Sequence, residues 1–133
     1  MKSRPAFRFQ IGLAFTLILG FALTPVLTLA ADPPRIAGTW EGVLDPGAQP
    51  KKHVVVNISA DQDGNLSGTI DYPDQDVSGI EITAITYKAH ILHFESTPNL
   101  SSFDGTLNQD GTVITGTWKQ SGAPLTLTLK RTS

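Results

Sequence analysis

The sequence contains few residues whose types and spacing could support catalysis or metal binding. His90 and His93 are three positions apart. On a β-strand this odd spacing would place the two rings on opposite faces, where they could not share one zinc ion. No serine follows the Gly-x-Ser-x-Gly pattern of a nucleophile elbow, although Ser78 before Gly79 comes nearest. We therefore predict no catalytic residues, no metal site and no cofactor.

A polar loop around Tyr72 is the strongest candidate for an interaction site. Three carboxylates, those of Asp71, Asp74 and Asp76, lie close together in the sequence. Loops carried by a rigid sheet are frequent binding sites. We expect solvated turn residues here, with calcium binding as the less favoured alternative. The predicted loop contacts are Asp71, Tyr72, Asp74, Gln75 and Asp76, with the ring of Tyr72 as the apolar contact.

β-Strands must position these residues, because polar and apolar residues alternate through most of the chain. Leu125, Leu127 and Leu129 alternate with polar residues, and this period of two indicates a half-buried strand. Turn-forming pairs such as Asp63-Gly64 separate the alternating segments, as in antiparallel hairpins. No amphipathic helix is predicted. The eight predicted strands are residues 38–44, 53–59, 65–71, 79–88, 90–96, 100–108, 112–119 and 125–130.

Consecutive antiparallel strands that bury one face must either close or leave an apolar edge. We therefore predict an all-β fold, a single small eight-stranded antiparallel up-and-down barrel of the lipocalin type over residues 38–133. Closure would bring Trp40 in the first strand near Arg131 in the last, with the guanidinium over the indole ring. The Gly38-Thr39-Trp40 start and the late arginine resemble those of lipocalins and fatty-acid-binding proteins.

Four predicted strands share a glycine between two large apolar residues on one face. The trios are Trp40-Gly42-Leu44, Leu66-Gly68-Ile70, Phe103-Gly105-Leu107 and Ile114-Gly116-Trp118. Inward glycines permit the sharp coiling that a small barrel needs, and this is the favoured interpretation. The alternative is that they leave space for a ligand inside the barrel. In that case the ligand contacts would be Trp40, Gly42, Gly68, Phe103, Gly105, Gly116 and Trp118.

The N-terminal segment has the composition of a secretory signal peptide. A basic start with Lys2 and Arg4 precedes an apolar run of about 13 residues, shorter than the roughly 20 of a spanning helix. Small residues allow cleavage after Ala30 or Ala31, and an uncleaved anchor is the alternative. We predict export to the periplasm or the medium. The predicted organisation is a signal peptide at 1–30, an extended arm at 31–37 and the barrel at 38–133.

The charge of the chain after this segment limits its partners. From residue 31 onward seven Lys or Arg face twelve Asp or Glu, which gives a net charge near −5. This charge repels phosphate backbones, so we expect no nucleic-acid partner. The sequence has no cysteine, so its core forms without disulfides. We also expect a monomer with no membrane span after cleavage.

A second resemblance covers residues 38 to 131. It rests on the segments Gly38–Leu44, Asp71–Gln75, Gly79-Ile80, Gly105–Leu107, Asp110-Gly111 and Gly116–Gly122. They resemble the non-catalytic β-domain that precedes the catalytic domain of many exported bacterial α/β-hydrolases. In the central loop, Tyr72 stands where that family has serine and Asp76 where it has glycine.

The resemblance implies a free-standing copy of an accessory module. We therefore predict an exported, non-catalytic barrel module that binds a protein or glycan partner in a hydrolase-type system. Two alternatives stay open: a lipocalin-like carrier of a small apolar ligand, and a weak hydrolase.

Overall fold

The computed structural model describes residues 35–133. The predicted signal peptide and most of the predicted arm lie outside the described residues. Within them no helix is long and apolar enough to cross a membrane. The described chain is all-β and antiparallel, with one short 3₁₀ helix, so the predicted fold class is confirmed at this level.

Nine strands form the sheet. They are β1 (Gly38–Leu44), β2 (Lys52–Ala60), β3 (Leu66–Tyr72), β4 (Val77–Glu81), β5 (Ala84–Lys88), β6 (Ile91–Ser96), β7 (Ser101–Leu107), β8 (Val113–Lys119) and β9 (Leu125–Arg131). The 3₁₀ helix, Pro73–Gln75, lies between β3 and β4.

The predicted strand 79–88 is two strands, which raises the count from eight to nine. The N–H of Ile82 donates to Gly68 O of β3 at 3.0 Å, and the next N–H, of Thr83, donates to Glu95 O of β6 at 2.8 Å. The chain therefore leaves one neighbour and joins another within two residues. The apolar alternation also changes phase here, from Ile82 to Ile85, so a bend is needed to keep both segments facing the core.

The strand order is β4-β3-β2-β1-β9-β8-β7-β6-β5, and every neighbouring pair is antiparallel. The sheet curls into a half-barrel whose edge strands, β4 and β5, are consecutive in the chain. β1 and β9 pair with each other, and Trp40 lies opposite Arg131. The first and last strands therefore meet in the middle of the sheet.

The inner face of the curled sheet forms one apolar core, as the period of two requires. Three aromatic rings lie together within it. The ring centroids of Phe94 and Phe103 are 5.4 Å apart, and Trp118 meets Phe94 edge to face at 6.1 Å. The fully buried side chains include Trp40, Trp118, Phe94, Phe103, Ile36, Ile70, Leu92, Ile114, Leu127, Leu129, Val54 and Val56.

The inward glycines lie where neighbouring atoms approach closely. Gly105 and Gly116 face each other across β7 and β8. A Cβ added to Gly105 would lie 2.6 Å from the ring of Phe103, and one added to Gly116 would lie 2.5 Å from the Cα of Gly105. A Cβ at Gly42 would lie 2.9 Å from the side chain of Leu127. Around these positions the space is filled by neighbouring residues, as a tightly curled sheet requires.

Candidate functional site

The antiparallel order places four connections at the same end of the sheet, here called the open end. This is the end at which β1, β3, β6 and β8 finish. The strands bring together the loops 45–51, 73–76, 97–100 and 120–124, which are distant in sequence. Because the predicted interaction loop is one of the four, the structure joins it to three segments that the sequence analysis did not single out.

A recess of about 250 Å³ lies at the open end, beside the indole of Trp118. Trp118 is only 1% exposed, and Leu44 and Leu125 add apolar walls. Lys52 lies opposite Leu44 and two positions before the fully buried Val54, so it occupies the first inward position of β2, at the open end. The remaining lining residues are Pro46, Gln49, Pro50, Gln120, Ser121 and Ala123. The recess is therefore lined by both polar and apolar side chains, with Trp118 and Leu44 buried beside it.

Hydrogen bonds of Asn99 tie the loop 97–100 to two other parts of the open end. Its side-chain amide donates to Tyr72 Oη at 2.8 Å, and its side-chain oxygen accepts from Ser101 Oγ at 2.5 Å. Its backbone carbonyl accepts from Gln120 Nε2 at 2.8 Å. Burial raises the pKa of Tyr72, and the bond from Asn99 opposes that shift. Asn99 thus links β3, β7 and the β8–β9 loop at the open end.

Tyr72 is 4% exposed, so its ring belongs to the core. The cause of this burial is alternation, because Tyr72 shares the inward face of β3 with Ile70. A role of the ring as the apolar contact of the loop stays a prediction. The ammonium of Lys52 lies 4.9 Å from the centroid of the Tyr72 ring, on the side of the recess.

The acidic residues of the predicted loop have different surroundings. Asp71 accepts from Asn57 Nδ2 at 3.0 Å and from the N–H of Gly79 at 2.8 Å, so it joins β2, β3 and β4. Asp74 accepts from the N–H of His53 at 3.1 Å. Gln75 and Asp76 are exposed, and Asp76 has a left-handed backbone with φ of 54°. Two of the three carboxylates therefore hold the loop against the sheet.

The opposite end, here called the closed end, is covered by the chain before β1. Ile36 is fully buried there, and its carbonyl accepts from Trp40 Nε1 at 2.9 Å. The guanidinium carbon of Arg131 lies 4.3 Å from the centroid of the Trp40 ring. Arg131 donates to Ala37 O at 2.7 Å and to Gly111 O at 2.9 Å, and also to the carbonyl of Arg35. These contacts give Trp40 and Arg131 a structural role.

The predicted interior residues are therefore distributed over both ends and over the middle of the sheet. The middle, where the four inward glycines lie, is here called the waist. Trp118 lines the open-end recess, whereas Trp40 lies at the closed end. Phe103 packs against Phe94 in the core. The glycines at 42, 68, 105 and 116 lie along the strands between the ends, against neighbouring backbone and side chains. Ligand contact by these residues stays a prediction, and the structure brings only Trp118 to the recess.

A charged cluster on the outer face of β6 and β7 was missed by sequence reasoning. His93 Nδ1 is 2.6 Å from Asp104 Oδ1, and its Nε2 is 2.9 Å from Glu95 Oε2. The bonds to Glu95 and Asp104 raise the pKa of His93. Alternation places His93 and Glu95 on one face, but Asp104 joins them only through the β6–β7 register. His90 lies in the turn before β6, away from this cluster.

Within residues 35–133 no group of three or more His, Asp or Glu residues has a geometry that could hold a metal ion. Comparison of the chain with protein-family models, with curated proteins and with solved structures gave no match. The two family resemblances therefore stay predictions that rest on the motifs themselves, and the open end is interpreted from its own geometry.

Proposed function

We propose that this protein is an exported, non-catalytic binding module that recognises its partner with the open end. The observation that carries this proposal is the recess beside Trp118, which the loops 45–51 and 120–124 line at the end of the sheet where four loops meet. The closed end supports this assignment by contrast, because its aromatic ring and its arginine form contacts within the chain. Export, and service to a hydrolase-type system, come from the sequence patterns alone.

A protein partner fits the open end better than a glycan. Glycans commonly stack on exposed aromatic rings, but all six described rings, those of Trp40, Tyr72, Tyr87, Phe94, Phe103 and Trp118, are buried or half-buried. Leu100 in the loop 97–100 is 79% exposed, and its φ of 54° is unusual for a leucine. Strained backbone conformations cluster at ligand-binding segments, so Leu100 is the apolar contact residue that we expect in this loop.

A carrier of a small ligand is the second candidate, and the recess itself favours it. Its volume of about 250 Å³ is below the usual range of pockets for drug-sized molecules, so the ligand would be compact. The filled space around the inward glycines argues against a long chain inside the barrel. The third alternative, a weak hydrolase, gains no supporting observation.

We also infer that β4 and β5 act as one bent strand of an eight-stranded, monomeric barrel. The successive bonds of Ile82 to β3 and of Thr83 to β6 support this interpretation. β5 also approaches β3, the strand that closure would place beside it.

Partner capture from the exported fraction of the producing cells tests the proposed function. Leu100→Asn should weaken capture at least about tenfold, as expected for an interface anchor. Asparagine tolerates positive φ, so this variant should remain folded. The matched control is Ile91→Asn at the other end of β6, because Ile91 is also exposed, at 54%. Equal losses from both variants, or no capture by the unaltered protein, would contradict the proposal.

A further inference from the structure

The open-end recess contains an unusual residue for its position. Lys52 continues the inward row of β2 that includes Val54, Val56 and Ile58. Charged side chains are rare on a core-facing row unless they are paired. Of the residues that line the recess, Lys52 alone carries a charge. The ammonium of Lys52 therefore lies beside apolar side chains of the recess.

The surrounding carboxylates do not neutralise this cation. Among residues 35–133 the ion pair nearest in sequence joins Lys51 to Asp45 at 3.9 Å, and Asp74 lies 3.9 Å from His53. No described carboxylate is within ion-pair distance of Lys52 Nζ. Its described partner is the Tyr72 ring, which holds the ammonium by its face and leaves its N–H donors available.

The rest of the recess complements an anion attached to an apolar group. Ser121 and Gln49 have no side-chain hydrogen bond within the described residues, so their polar groups can contact a ligand. Pro46, Pro50, Ala123 and Leu125 offer apolar surface beside the buried Trp118. A volume of about 250 Å³ corresponds to roughly eight water molecules, which limits the apolar group to a ring or a short branched chain.

We propose that the recess binds a carboxylate attached to a compact apolar group, with Lys52 as its cationic partner. This inference rests on the proposed function and deepens it by naming the chemical group recognised at the open end. The group could be a free organic acid or the last residue of a peptide, and both have the same chemistry. The carboxylate would accept from Lys52 Nζ while its apolar group packs on the apolar lining next to Trp118.

The two tryptophans allow a direct test by NMR, because each gives one indole N–H signal and they lie at opposite ends of the sheet. Titration with benzoate should shift the Trp118 signal and leave the Trp40 signal in place. Benzamide, which has the same ring without the charge, should bind about tenfold more weakly, the loss expected for one charge-assisted hydrogen bond. N-acetyl-glycyl-leucine and its C-terminal amide form the second pair of probes.

The matched variants are Lys52→Gln and Lys51→Gln, because these residues are neighbours in the chain but only Lys52 lines the recess. Lys52→Gln should weaken benzoate binding about tenfold and leave benzamide binding unchanged. Lys51→Gln should change neither, and Lys52→Arg should restore the preference for the acid. Unaltered urea midpoints would show that all three variants are folded.

The probes distinguish the two sources of the carboxylate, a free acid and a peptide terminus. NMR titration tests the carboxylate site, whereas partner capture tests the proposed function. Tighter binding of the peptide acid than of benzoate would assign the group to a chain terminus, and the reverse would assign it to a free acid. Equal binding of acids and amides, equal effects of both lysine variants, or no shift of Trp118 would overturn the carboxylate site. Capture that depends on Leu100 would still support the proposed function in each of these cases.

Discussion

The two ends of the curled sheet have similar components but use them differently. Each has a buried tryptophan and a nearby cation over an aromatic ring. At the closed end Arg131 also donates to backbone carbonyls, so the cation is used within the fold. At the open end Lys52 has no such partners among the described residues, and a recess lies beside it. The hydrogen bonds of the two cations therefore differ: those of Arg131 are used within the fold, whereas those of Lys52 are available to a ligand in the proposed site.

Arg131→Ala should destabilise the protein most, because it removes the ring contact and leaves several carbonyls at the closed end without their donor. We expect the free energy of unfolding to fall by about 3 kcal/mol. Urea denaturation measures this loss. Lys52→Ala is the control at the open end and should cost less than about 1 kcal/mol. Equal losses of unfolding free energy would mean that Arg131 and Lys52 stabilise the fold to the same extent.

Gly116→Ala tests how tightly the sheet is packed at its waist. The new Cβ would meet the backbone of Gly105, so we expect a loss of about 2 kcal/mol from overpacking. Thermal and urea unfolding would measure it, with Thr115→Ala on the outer face of the same strand as the control. A stable Gly116→Ala variant would mean that the waist has spare volume, and would revive the prediction of an internal ligand cavity.

Asn99→Ala should have a smaller effect on stability and should act at the open end. It removes the donor to the buried hydroxyl of Tyr72 and frees the loop 97–100, at a cost of about 1 kcal/mol. Combining it with Tyr72→Phe in a double-mutant cycle should show coupling between the two residues. Additive losses would show that the bond contributes nothing, and that the loop is held by its other contacts.

His93 belongs to neither end and should give the smallest effect. Because Glu95 and Asp104 raise its pKa in the folded state, its stabilisation is complete below the unfolded value of about 6.5. It is lost as the pH rises through the raised folded pKa. The His93 side chain is 35% exposed, so the contribution should be a fraction of a kcal/mol.

The pH effect is measured by comparing the unaltered protein with His93→Gln in urea at pH 6 and at pH 9. The difference between them should shrink at the higher pH. A difference that grows with pH would show that the pKa of His93 is not raised in the folded protein.

Alternation predicted every strand except the break within 79–88, because alternation follows directly from the geometry of a sheet. The phase change between Ile82 and Ile85 was also visible, and could have predicted the break between β4 and β5. The recess could not be predicted, since it lies between the loops 45–51 and 120–124, which meet only after the strands have paired. Likewise Asp104 reaches His93 through the cross-strand register, and no local pattern in one sequence specifies that register.

The position of β9 has a consequence for how the protein folds. β9 follows the other eight strands in the chain but lies between β1 and β8 in the sheet. The bond from Arg131 to Ala37 spans 94 positions, and pairing of residues so far apart in sequence slows folding. Until β9 docks, β1 and β8 each present an unpaired edge that can join another chain. Competition between this late docking and aggregation should therefore limit the yield of folded protein.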